Sequence, residues 1–458
     1  MSVLWTQAAL VAATGGVASG TFTVSGISID TPGVSGISID TRSLRPGDLF
    51  VALVGHHGDG HAHVAEAFAR GAAAALVHHE VTAAGPTLRV ADTLAGLRAI
   101  AVAGRARFAG RCIAVTGSAG KTSSKEMLRA MLSLVGPTHA AEGSHNNHWG
   151  VPLTLARLPV GASFAVVEIG TNNPGEIAPL ARLARPHATI ITMIGDSHIG
   201  RFGSRAAIAL EKASIMAGLE PGGVALLPEE PAELAGLVPA GVRALRFGEG
   251  ADCAARLGSV EGDLDGSEVA VSLAGRRLQF RLGAPGRHMA MNALGCLAAI
   301  DALGVDVAAV APALAGFGPV SGRGARRKLL GGAASLIDES YNAAPQSLRA
   351  ALDLLRMARG ARRVAVLGDM LELGEQGPAL HAGLAGDVAG AADLVFACGP
   401  LMRHLFEALP VKIRATHADS AAALAPSVRA ALRPGDIVLV KGSNGSRMRD
   451  VVAAIEVV

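Results

Sequence analysis

Along most of this chain, short apolar runs alternate with segments whose apolar residues recur at helical spacing. Residues 49–53 and 75–77 read as strands, and 64–74 and 93–107 as helices, giving a small α/β unit. A second unit opens with an apolar strand at 112–116, followed by Leu128, Met131 and Leu132 on one helical face. Buried-strand runs continue at 164–169, 188–194 and 224–227. Strands alternating with helices predict a parallel sheet. Val269, Val271 and Leu273, then Leu278, Phe280 and Leu282, alternate on either side of Ala274-Gly275. That pattern predicts an antiparallel hairpin, and so a mixed sheet. Runs at 335–338, 364–367, 394–397 and 437–440, separated by helical stretches, predict a second doubly wound domain. The expected fold class is α/β in three units, 1–107, 108–320 and 321–458. One local duplication stands out: the octapeptide at 24–31 recurs letter for letter at 34–41. A single pair is too short for a solenoid and predicts an extra or swapped edge strand.

Composition narrows the functional classes. A chain of 458 residues can bury several cores without disulfides. Half of it is hydrophobic and 17% charged, which excludes a disordered chain. Aromatics at 3% argue against stacking platforms for single-stranded nucleic acid. The net charge is +3 with no long basic run, so neither nucleic acid nor an anionic membrane is an expected partner. The mean hydropathy of +0.39 calls for a membrane check. The most apolar region, 293–317, is broken by Asp301 and Asp306, and no run reaches the ~18–20 apolar residues of a span. No Lys or Arg precedes Arg42, so the start lacks the basic region of a secretory signal. Cys112, Cys253, Cys296 and Cys398 are scattered, as expected of buried small residues in a reducing cytoplasm.

The sharpest chemical signal is Thr116-Gly117-Ser118-Ala119-Gly120-Lys121-Thr122, between an apolar strand and an amphipathic helix. Glycines there let backbone N–H groups converge on phosphate oxygens, and the helix N-terminus adds positive potential. Lys121 can bridge β- and γ-phosphates, and Thr122 can ligate Mg²⁺. The spacing is G-x-x-G-K-T, shorter than the commoner phosphate loop. Glu168 ends one strand, His198 follows another, and Lys212 lies on the next helix. Strand carboxyl ends face the crevice where ligands bind. Taken singly, Glu168 reads equally as a helix cap, His198 as a satisfied loop histidine and Lys212 as a solvated helix face. His56, His57, His61 and His63 surround a Gly-rich loop whose spacing fixes no metal geometry.

These segments together resemble the ATP-dependent Mur ligases of peptidoglycan synthesis. The resemblance rests on 116–122, on Gly143-Ser144-His145-Asn146-Asn147 leading to Gly150-Val151-Pro152-Leu153-Thr154, on Val167-Glu168-Ile169-Gly170 and on Gly286-Arg287-His288 with Asn292-Ala293. Asp338-Glu339-Ser340-Tyr341-Asn342-Ala343, Gly368-Asp369-Met370-Leu371-Glu372-Leu373-Gly374 and Val440-Lys441-Gly442-Ser443 look like the member that adds D-alanyl-D-alanine. Asp40-Thr41-Arg42 with Arg45-Pro46-Gly47-Asp48 fits the same member. The Asp-Asn-Pro-Arg run usual in the sister that adds the third stem residue does not occur.

The resemblance implies a three-domain architecture with an N-terminal UDP-sugar domain, a central P-loop-type ATP domain and a C-terminal Rossmann-like domain receiving the amine. It implies ATP-dependent joining of D-Ala-D-Ala to UDP-MurNAc-tripeptide through an acyl phosphate, by a cytoplasmic monomer. ATP contacts are implied at Thr116 to Thr122, Ser123, Asn292, Arg323, Asp338 and Asn342, the last three from the third unit. Arg323 and Asp338 are expected to reach ATP only on domain closure. Two Mg²⁺ ions are implied, at Thr122 and Glu168 and at His198 and a carbamylated Lys212. Catalysis is thereby assigned to Lys121, Lys212, His198 and Glu168. The UDP-sugar substrate falls to Thr41, Arg42 and Asn146, because only the second octapeptide continues into Arg42. The rival readings are a sister ligase or folylpolyglutamate synthetase using another amine, and a P-loop kinase or nucleotide switch.

Overall fold

The computed structural model describes residues 3–22, 33–55 and 58–456. Three sheets of five or more strands follow one another along the described residues. The first comprises β1 (Val17–Ser19), β2 (Gly36–Ser38), β3 (Asp48–Val51), β4 (Ala74–Val77) and β5 (Thr87–Arg89), in the order β1-β5-β4-β3-β2. All its pairs are parallel except β1 with β5. The second copy of the octapeptide supplies the edge strand β2, and the first copy lies outside the described residues. The helix expected over 64–74 spans Val64–Ala69, because the chain turns at Gly71 with φ 91°.

The central sheet has nine strands. They are β6 (Arg111–Thr116), β7 (Thr138–Ala140), β8 (Phe164–Glu168), β9 (Ala188–Ile191), β10 (Val224–Pro228), β11 (Arg243–Gly248), β12 (Ala255–Asp263), β13 (Gly266–Leu273) and β14 (Arg276–Leu282). Their order is β7-β8-β6-β9-β10-β11-β12-β13-β14. The pairs are parallel up to β12, and β12, β13 and β14 are antiparallel, so the predicted hairpin around Ala274-Gly275 is present. β6 is buried on both faces. Ile113 and Val115 pack with Met127, Leu128, Met131 and Leu132 of the helix Lys121–Leu132, while Cys112 and Ala114 belong to the core on the opposite face. That two-sided burial explains a continuous apolar run where a half-exposed strand would alternate.

The third sheet comprises β15 (Ala325–Leu329), β16 (Ala334–Glu339), β17 (Arg362–Gly368), β18 (Leu394–Cys398), β19 (Arg414–Ala418) and β20 (Asp436–Lys441). Its order is β15-β16-β20-β17-β18-β19, parallel except for the edge pair β15 with β16. This is the doubly wound arrangement expected of the third unit. Among the described residues, no helix is long and apolar enough to cross a membrane. All four cysteines are buried and free.

For the site, the arrangement at the middle of the central sheet matters most. β8 and β9 flank β6, with Val115 opposite both Glu168 and Ile190. The loops leaving all three carboxyl ends therefore converge at one place, and the chain after β6 departs to one side while β9 lies on the other. Such a switch point leaves a crevice for ligand.

Candidate active site

A cavity of about 650 Å³ occupies this crevice, walled by Ser118 to Lys121, Asn146, Glu168, His198 and Asn292, and by Arg323, Asn342 and Lys441 of the third unit. The loop after β6 is built by glycine where side chains have no room. Gly117 has φ 145°, and a Cβ there would lie 1.9 Å from Thr192 Oγ1. Gly120 has φ 82°, and its Cβ would lie 2.6 Å from Asn292 Oδ1. Asn292 thus abuts the loop. Lys121 opens the helix and donates from Nζ to the Gly117 carbonyl at 2.7 Å. Surrounding protein pushes its ammonium below the usual lysine range, partly opposed by the Glu168 charge.

Beneath the loop, Glu168 is 1% exposed. Its Oε1 accepts from Thr122 Oγ1 at 3.1 Å and from Asn146 Nδ2 at 2.7 Å. Its Oε2 is buried with no partner among the described residues. A carboxylate oxygen held dry and unpaired is costly unless a cation completes it. Together with the Thr122 hydroxyl it presents the hard oxygen donors Mg²⁺ prefers, so these residues fit the ion.

His198 follows β9 and lines the cavity, with its Nδ1 beside the Glu372 carboxylate. That contact lies within ion-pair reach. It holds the Glu372 carboxyl below its usual range. Lys212, in the last turn of the helix Arg205–Ala213, is 3% exposed. Burial, and then the neighbouring charge of Lys121, push it well below the ordinary lysine range. At that exposure the solvated-helix-face reading does not hold.

The third unit closes the cavity from the other side. Arg323 Nη2 donates to Ser144 Oγ at 3.1 Å, and its guanidinium stacks 3.9 Å from the Tyr341 ring centroid. Ser144 Oγ in turn lies 3.3 Å from Thr122 Oγ1. Asn342 lines the cavity, and its carbonyl accepts from Lys441 Nζ at 3.0 Å. Asp338 does not face the cavity. It is 2% exposed, and its oxygens accept from Gly322 N–H, Ser340 N–H, Ser340 Oγ and Arg327 Nη2 at 3.1, 3.1, 2.6 and 3.0 Å. It braces the backbone that presents Arg323.

Other expected residues fall elsewhere. Thr116 is buried below the loop, its hydroxyl without a partner among the described residues, while Ser123 lines the cavity. Asn146 reaches the cavity but Thr41 and Arg42 do not. Thr41 is buried, and Arg42 donates to Asp40 on an exposed loop. A second cavity of about 760 Å³ between the first and central units is walled in part by Ser43, Arg45, Asp48 and Arg157, and not by Thr41 or Arg42. In the histidine-rich loop, His56 and His57 lie outside the described residues. His61 Nδ1 is held by Asp59 at 2.6 Å, and its Nε2 accepts from the His78 N–H at 3.1 Å. Both ring nitrogens are therefore used, while His63 faces Glu66.

Several residues escaped the sequence reading. Lys125, fully buried one turn after Lys121, donates to the carbonyls of Ala141 and Gly143 at 2.7 and 2.5 Å. It pins the segment that carries Ser144 and Asn146. A lysine on the buried stripe of an amphipathic helix was the available signal. Gln346 Nε2 donates to Asp196 Oδ2 at 2.6 Å, and the Asp196 N–H donates back to Gln346 Oε1 at 3.2 Å. Arg205 keeps the Asp196 carboxyl below its usual range.

Family models extend over most of the chain. That of the Mur ligase family catalytic domain matches residues 33–131, that of the Mur ligase middle domain 115–300, and that of the Mur ligase glutamate ligase domain 325–444. The chain is 36% identical over 421 residues to the UDP-N-acetylmuramoyl-tripeptide–D-alanyl-D-alanine ligase of Synechocystis, covering 90% of each. A crystal structure of MurF from Acinetobacter baumannii aligns with TM-score 0.86 at 30% identity, covering 99% of both chains. The MurF ligase of Thermotoga maritima, solved in complex with ADP, aligns with TM-score 0.78 at 25% identity over 92% of this chain and 97% of that one. Matching models along its length, and a relative this similar over nine-tenths of it, establish that the chain belongs to the Mur ligase family.

Proposed function

We propose that this protein joins D-alanyl-D-alanine to UDP-MurNAc-tripeptide at the expense of ATP, forming UDP-MurNAc-pentapeptide for peptidoglycan. The observation that carries the reading is the dry, unpartnered Glu168 Oε2 beside Thr122, under a phosphate loop and inside a cavity that the third unit closes. A carboxylate is a poor electrophile. The tripeptide's terminal carboxylate first attacks the γ-phosphorus, breaking the bond to ADP and giving an acyl phosphate. The dipeptide amine then attacks the acyl carbon, phosphate leaves, and the amine loses a proton.

The first step sets an anion against a polyanion, so charge neutralisation and alignment dominate it. Lys121 and the loop N–H groups hold the β- and γ-phosphates, and Asn292 abuts the loop on the nucleotide side. Arg323 adds positive charge from the third unit, with Asn342 beside it. Thr122 and Glu168 would hold one Mg²⁺ and His198 with Lys212 a second. When bound, these ions supply charge neutralisation and Lewis-acid polarisation of phosphoryl oxygens. Burial disfavours the Lys212 ammonium, which favours the neutral amine that can add CO₂ and release a proton to become a carbamate. That change puts an anionic oxygen donor where the amine nitrogen stood. Docking of the third unit excludes water, which protects the acyl phosphate from hydrolysis. Residues 1–107 carry the UDP-sugar, 108–320 the nucleotide and 321–458 the incoming amine. Thr41 and Arg42, with Asn146 across the seam, bind the substrate's UDP-sugar.

The test is phosphate release by the purified protein with ATP, Mg²⁺ and UDP-MurNAc-tripeptide, with and without D-Ala-D-Ala. Release that depends on the dipeptide, with a UDP-linked pentapeptide in the product, is expected. Release driven equally by a single amino acid or by glutamate would reassign the protein to a sister ligase.

A further inference from the structure

His198 and Glu372 share an unusual feature. Both bear side chains on left-handed backbone, with φ 65° and 66°. Such conformations are sparsely populated outside glycine and persist where the surroundings hold them. The two residues meet at the seam between the central and third units. There the Gly200 N–H donates to the Glu372 carbonyl at 3.0 Å. The backbones touch: a Cβ on Gly200 would lie 2.5 Å from Gly374 N, and one on Gly374 2.8 Å from Gly200 Cα. This approach delivers the Glu372 carboxylate against His198 Nδ1, an atom sealed from solvent. The same imidazole forms part of the cavity wall.

We propose that Glu372 is a positioning residue for His198, engaging Nδ1 across the seam so that the other ring nitrogen, Nε2, offers its lone pair to the cavity. A neutral imidazole carries one N–H. A carboxylate at Nδ1 favours the proton there and leaves the Nε2 lone pair for a divalent ion. Because Glu372 belongs to the third unit, the His198 half of the metal site is complete only when that unit is docked. Gly200 and Gly374 serve the same end, since their missing side chains permit the approach. The inference rests on the metal-dependent ligase reading above.

The experiment uses the full-length chain saturated with ADP and titrated with Mn²⁺, bound ions being counted and their affinities read by paramagnetic resonance. Wild type is expected to bind a second, weaker Mn²⁺ that His198→Ala abolishes. Glu372→Ala should weaken that ion on the order of 10- to 100-fold, with metal-free ADP affinity unchanged. Glu372→Gln, which keeps an oxygen for Nδ1–H, should recover most of the loss. Gly200→Ala keeps both side chains but forces the backbones apart, so it should resemble Glu372→Ala, and it carries the test should that variant fail to fold. Wild-type Mn²⁺ affinity in both Glu372→Ala and Gly200→Ala overturns the proposal, as does a Glu372→Gln variant no better than Glu372→Ala. If His198→Ala itself binds both ions like wild type, the metal assignment falls instead, so the two failures are distinct.

Discussion

Thr122 Oγ1 donates to Glu168 Oε1 at 3.1 Å, tying the phosphate loop to the end of the neighbouring strand. The second carboxylate oxygen is left buried and unpartnered among the described residues, and Glu168 itself lines the crevice. Glu168→Gln retains an oxygen for Thr122 and Asn146 but removes the negative charge. The Mg²⁺ concentration needed for half-maximal phosphate release should rise on the order of 10- to 100-fold, with a nearly unchanged melting temperature. An unaltered Mg²⁺ dependence would sink the assignment.

Lys121 is fixed at the loop by its bond to the Gly117 carbonyl, 2.7 Å long. Its work is charge stabilisation as the γ-phosphoryl transfers, so Lys121→Ala should cut turnover on the order of 100- to 1000-fold or more, with the fold intact by circular dichroism. Lys121→Arg should not restore it, because a planar fork cannot replace a compact ammonium in so tight a loop. Near-normal ligation by the alanine variant contradicts the role.

The sequence carried local features well and long-range ones poorly. The run 112–116 and the Gly-Lys-Thr after it announced strand, loop and helix, because a doubly covered strand is apolar throughout and a phosphate turn needs glycine. Glu168 and His198 were visible as strand-end residues. Strands β11 and β12 were not, since Arg243–Gly248 and Ala255–Asp263 expose much of their length and carry no clean alternation. Also hidden were Gln346 with Asp196 and Glu372 with His198, pairs more than 140 residues apart created only by docking of two units. Asp338 shows a different limit. Its place in a recognised motif pointed to the nucleotide, but backbone direction at the strand end turns its carboxylate inward to Gly322.

That inward turn has a measurable consequence. Asp338→Ala would strand the Gly322 and Ser340 N–H groups and leave Arg327 without this partner. Each buried unpaired donor is costly, so the variant should lose about 3 kcal/mol of unfolding free energy in urea. Asp338→Asn, which keeps one acceptor oxygen, should lose less. Full stability in the alanine variant combined with a raised KM for ATP would return Asp338 to direct nucleotide contact.

Lys212 links burial to both stability and chemistry. Its ammonium is disfavoured in the folded chain, so its folded pKa lies well below the ordinary lysine value of 10.5. Below 10.5 the unfolded chain binds a proton the folded chain resists, so this residue's contribution to stability rises with pH between the two values. Replacing it by the uncharged Lys212→Met should therefore raise the melting temperature in CO₂-free buffer, more at pH 6 than at pH 9. A gain that grew towards alkaline pH would show that the ammonium is welcome there. Carbamylation needs the neutral amine, which the same burial favours. Lys212→Ala should be inactive, and added short carboxylates should partly restore turnover by placing an anionic oxygen where the carbamate would sit. Lack of rescue by acetate or propionate, in a variant that still binds nucleotide, would mean that the unmodified lysine serves the reaction.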